Sequence, residues 1–102
     1  MLHVIAVIKA KTGKRDAILS AAKNNLPSVR AEDGCIEYDL VVDADFGFFQ
    51  TETGPDTFLV IEKWRDSAAL KAHASAPHMI SYGQLIKDWI ESRTIHVLDP
   101  VI

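Results

Sequence analysis

Residues 57–78 read TFLVIEKWRDSAALKAHASAPH, and the spacing of their apolar side chains changes once, at Asp66. Thr57 to Arg65 is dense in β-branched and aromatic residues and reads as a strand. Asp66-Ser67 then puts a short polar side chain where the first free backbone donors of a helix need an acceptor. That helix runs through Ala74. Pro77, which has no N–H to give, divides it from a second helical segment beginning near His78 and running to about Trp89. A strand that feeds directly into a helix is half of a βαβ-like unit.

The same succession stands upstream. Leu2 to Ala10 is a strand with apolar residues in both alternation phases, which predicts burial on both faces. From Lys14 the period lengthens, and Ile18, Ala22, Leu26 and Val29 make the stripe of an amphipathic helix. Pro27 inside that stripe predicts a kink or a restart, and Gly34 a C-terminal cap. Cys35 to Val42 is the second strand. Asp43 to Gly47 is turn-like, Phe48 to Thr51 reads as a short strand, and Thr53-Gly54-Pro55-Asp56 is a turn. Ser92 to Leu98 is the last strand, stopped by Asp99-Pro100.

Strand, helix, strand, strand, helix, strand is the order of an α+β, ferredoxin-like split βαβ fold, one domain over residues 1–102. Its helices cover one face of four antiparallel strands. The second strand sets Ile36, Tyr38, Leu40 and Val42 against Cys35 and Val41, so both of its faces are apolar. An uncovered apolar sheet face is larger than a monomer usually leaves in water. With the apolar Val101-Ile102 after Pro100, it predicts a homodimer.

The charge balance, 11 Lys and Arg against 14 Asp and Glu, argues against nucleic acid, whose phosphates require concentrated cations. Lys9, Lys11, Lys14 and Arg15 are too few and too local for such a face. One cysteine forms no internal disulfide. The apolar run Val4 to Ile8 is far short of the ~20 residues of a spanning helix, and the basic residues follow it rather than precede it. The expectation is a soluble, cytoplasmic protein with no membrane partner.

Chemistry concentrates in the second helical region. His78, Tyr82, Leu85, Ile86 and Trp89 share one helical face, either a core stripe or the wall of an aromatic-binding pocket. A histidine in the first turn meets the positive end of the helix dipole, which favours neutral imidazole and makes His78 a candidate base. His73, at the end of the preceding helix, meets the opposite bias. Metal binding is not expected. His73 and His78 are five apart across Pro77, and His3 and His96, on neighbouring strands, lack a Cys or carboxylate partner. Cys35 reads as a structural thiol. Glu62, inside FLVIEKW and in phase with Trp64, faces solvent or is buried with a partner. No dinucleotide, Walker or nucleophile-elbow motif is present.

The blocks VIAVIKAKTGKRD (4–16), GCIEYDL (34–40) and FLVIEKWRDSAALKAHASAPH (58–78) together resemble the antibiotic biosynthesis monooxygenase family. Its members show G-C-x-x-Y, E-x-W, A-L-x-x-H and P-H. Here these are Gly34, Cys35 and Tyr38; Glu62 and Trp64; Leu70 and His73; Pro77 and His78. VVDADFGFFQTETGPDTF (41–58) and TIHVLDPV (94–101) look most like the bacterial quinol monooxygenase branch. The resemblance implies a dimeric α/β barrel with a cleft between each sheet and its own helices. It implies oxidation of a quinol or similar phenolic substrate by O₂ with no cofactor. His78, His73 and Tyr38 are then the catalytic candidates, with His78 favoured as base. Trp64, Glu62, Phe49 and Tyr82 are the substrate-binding candidates. Haem-degrading relatives carry an Asn on the first strand and a Trp where His73 stands, so that reaction is not implied. A branch that isomerises a phosphorylated signalling sugar, and a non-catalytic binder of small aromatic ligands, are the alternatives.

Overall fold

A computed structural model describes all 102 residues. The elements are β1 (Leu2–Ala10), α1 (Arg15–Arg30), β2 (Cys35–Val41), β3 (Thr57–Trp64), α2 (Ser67–Ala74), α3 (Pro77–Ile86) with a 3₁₀ turn at Lys87–Trp89, and β4 (Ile90–Leu98). The strands form one antiparallel sheet in the order β2-β3-β1-β4. This is the ferredoxin-like α+β fold, with β1 and β3 inside.

Register assigns the two faces. Val4 pairs with Glu62 and Glu62 with Tyr38, while Ala6 pairs with Val60 and Val60 with Leu40. These residues look toward the helices, where Val4, Ala6, Ile8, Phe58 and Val60 are buried with Ile18 and Val29 of α1. Ile5, Val7, Leu59 and Ile61 occupy the other face and keep part of their surface. The expected two-sided burial of β1 is therefore not met within the chain, because the helices reach only one side. His3 of β1 lies opposite Leu98 of β4, which brings the two ends of the fold together.

Three local expectations are corrected. Helix α1 passes Pro27 without interruption to Arg30. Pro27 lies on the exposed side, where water can serve the carbonyl its missing donor leaves free. Gly34 caps no helix, since α1 ends at Arg30 with Ala31 as its C-cap. It turns the chain into β2 at φ +88°, and a Cβ there would stand 2.5 Å from that of Ala69 on α2. Phe48 to Thr51 is not a strand. The segment folds on itself, Gln50 accepting from the N–H groups of Phe46 and Gly47 and donating to the carbonyl of Ala44. The other boundaries shift little, though β4 starts at Ile90, beyond a register slip at Lys9/Ala10. The cap on α2 forms as its sequence indicates, Asp66 accepting from Ala69 N–H at 2.9 Å.

Candidate active site

Between the helix-side face of the sheet and the three helices lies a cavity of about 430 Å³, within the range that holds small ligands. Seventeen of its twenty-one lining residues are hydrophobic, so most of the wall offers no hydrogen-bond partner. The other four are Asn25, Glu62, His73 and Arg93, and Tyr38 and Tyr82 among the seventeen add a hydroxyl each.

His73 projects from the last turn of α2 and is only 6% exposed. Its Nδ1 lies 2.8 Å from Oε2 of Glu32, in the turn after α1. A carboxylate at that distance accepts from Nδ1–H, so in the neutral ring Nε2 is the lone-pair nitrogen. Trp64 lies against the imidazole, ring centres 4.6 Å apart, and Tyr38 approaches it at 5.5 Å. The ring is thus held in one orientation by a charge-assisted hydrogen bond and two aromatic contacts.

Glu62 is equally buried, and Trp64 Nε1–H donates to its Oε1 at 2.8 Å. Burial pushes the Glu62 carboxyl above its ordinary range, while the Trp64 hydrogen bond and nearby His73 pull it partly back. Desolvation, reinforced by Glu62, pushes the Tyr38 phenol far up, so it keeps its proton and serves as a hydrogen-bond donor. Burial raises Tyr82 to about 12.

The remaining candidates sit elsewhere. His78 does not line the cavity: its Nδ1 faces Oδ1 of Asn25 at 3.1 Å, and its Nε2 lies 3.2 Å from Glu32 without hydrogen-bond geometry. Both nitrogens of His78 face protein atoms, and the histidine at the cavity wall is His73. Trp64 is fully buried behind Glu62 and His73 and forms no part of the cavity wall. Phe49 is 77% exposed, stacked edge-on against Phe46 and Phe48 in the loop after β2 and away from the cavity. Leu85 is exposed, so the apolar face expected of α3 is narrower than its spacing implies. Glu32, the partner shared by both histidines, is 41 residues from His73, and no local spacing in the sequence marks it. Nowhere do three His, Cys, Asp or Glu side chains gather as around a metal.

Comparison with known proteins finds relatives along the whole chain. The family model described as antibiotic biosynthesis monooxygenase matches residues 1–84. The Escherichia coli protein named "Probable quinol monooxygenase YgiN" is 36% identical over 104 residues, covering the whole of both chains. Among solved structures, PA3566 from Pseudomonas aeruginosa superposes with a TM-score of 0.83 at 29% identity, over 99% of this chain and 94% of its own. Rv0793 from Mycobacterium tuberculosis gives a TM-score of 0.82 at 26% identity, over 99% and 95%.

Proposed function

Because the chain belongs to the antibiotic biosynthesis monooxygenase family, we propose that it is an oxidoreductase that oxidises a quinol or related phenol with O₂, using His73 as the base. One observation carries this reading. A buried imidazole, fixed through Nδ1 by Glu32 and braced by Trp64, stands at the wall of an apolar cavity beside the protonated Tyr38 phenol and the Glu62 carboxyl, whose proton affinity burial raises.

The chemistry follows from those parts. His73 Nε2 takes the proton of a substrate hydroxyl and leaves an aryloxide. Tyr38 O–H, and Glu62 when protonated, donate to the anion in a site from which most water is excluded. The electron-rich ring passes one electron to O₂, and the resulting superoxide and semiquinone combine at a ring carbon. Loss of water, which carries away the proton held on His73, leaves one oxygen atom in a hydroxyquinone and the other in the water.

The apolar wall favours a phenol over a phosphorylated sugar, whose hydroxyls need more partners than this cavity offers. The protein also acts, on this reading, as a homodimer paired through the helix-free sheet face. Oxygen uptake with a menadiol-type quinol, above the rate without protein, is the expected result. Uptake no faster than the protein-free rate across a panel of quinols overturns the enzymatic reading in favour of a ligand binder. Isomerisation of a sugar phosphate without oxygen uptake replaces it.

A further inference from the structure

Arg93 brings a charge to the cavity at the end remote from His73. It lies on β4 opposite Ile8, whose side chain faces the helices, and it lines the cavity. The chain's other three arginines are engaged. Arg15 donates to the carbonyls of Gly54 and Thr57, Arg30 to Tyr38 and Asp39, and Arg65 to Asp33 and Asp66. Arg93 has no such partner, and the nearby carboxylate of Glu91 is taken by Lys9 at 3.1 Å.

The sheet register sets this cation against the opposite polar end. Glu62 stands across from Val4, and Arg93 across from Ile8, four residues further along β1. At strand rise the two positions are about 14 Å apart along the strands, and with β1 between β3 and β4 they are about 10 Å apart across them. Between them the wall is Ala6, Val60 and Ile95. The cavity therefore has a proton-handling end, a hydrocarbon middle and a cationic end. Fused rings together with the length of the arginine side chain span that interval.

We infer that the preferred ligand is a flat, apolar ring system with an ionisable hydroxyl at the His73–Glu62 end and a carboxylate at the other, where Arg93 receives it. The assignment rests on the phenol-oxidising reading and adds the polarity and length of the substrate. A single guanidinium matches a carboxylate through two parallel N–H donors. A phosphate dianion calls for further cations or a helix N-terminus, and no second cation lines this cavity. Without its ligand, Arg93 stays hydrated at the mouth, so it costs the empty protein little.

Two fluorescent probes test this by binding alone: a naphthoic acid with its hydroxyl on the far ring, and the matching naphthol without the carboxylate. The wild-type protein is expected to hold the acid about tenfold tighter or more, the scale of a charge-assisted hydrogen bond. Arg93→Gln should abolish that preference and leave naphthol affinity unchanged, and Arg93→Lys should keep some of it. Equal affinities in the wild type, failure to bind the acid, or a preference that survives Arg93→Gln each overturn the assignment. Because no turnover is read, absence of oxygen uptake counts against the proposed reaction and not against this result.

Discussion

Two histidines share one glutamate, yet only one of them lines the cavity. Glu32 fixes His73 through Nδ1 and leaves Nε2 free of protein partners, whereas both nitrogens of His78 face protein atoms. His73→Gln is expected to lower quinol turnover by roughly 100-fold or more, the scale of losing a general base, with little change in KM. His78→Gln should stay within a few-fold of wild type in the same steady-state assay. The reverse pattern would return the role to His78. Glu62 allows a second test. Its carboxyl is raised on folding, so the native state favours the protonated form. The stability tied to that proton is fully present below the unfolded carboxyl's range and is lost as pH rises through the raised value. Glu62→Gln keeps an oxygen for the Trp64 N–H without the charge. In thermal melts it should raise Tm more at about pH 8 than at about pH 4.

The helices and strands were legible where a period repeats over several residues. Alternation in β3 and the spacing of Ile18, Ala22, Leu26 and Val29 in α1 are local signals, and they produced the elements they indicate. Phe48 and Phe49 have strand-like propensity but no strand to pair with, so composition misled there. The motifs point to Tyr38, Glu62 and His73, and helical spacing points to Tyr82; these four meet at one cavity, while His78, Trp64 and Phe49 lie outside its wall. Glu32, Asn25 and Arg93 stayed invisible because only tertiary folding brings them to the histidines or to the cavity wall. Gly34 shows a sequence signal read for the wrong cause: the constraint comes from α2 approaching its backbone, not from a helix end. Gly34→Ala would drive a Cβ to 2.5 Å from that of Ala69 at a φ of +88°. Strain and overpacking together should cost about 2–4 kcal/mol, read as a lower midpoint in urea with an unchanged slope.

At the scale of the molecule, the proposed dimer rests on the open face of the sheet. Ile5, Val7, Leu59 and Ile61 form a half-covered apolar centre, and Val101 and Ile102 are fully exposed. Sedimentation velocity at micromolar concentration is expected to give a dimer, and Ile61→Glu a monomer, because a charge in a desolvated interface centre has no partner. A wild-type chain that sediments as a monomer removes the pairing. The adjacency of His3 and Leu98 has a consequence of another kind, in the response to force. Tension applied through residues 1 and 98 meets the β1–β4 ladder at its open end, across the strands and not along them. The hydrogen bonds then break in succession from Leu98 inward, as in a zipper, at low force. β1 would stay bonded to β3 along Leu2 to Lys9 while β4 peels away, so the edge strand yields before the interior of the sheet does.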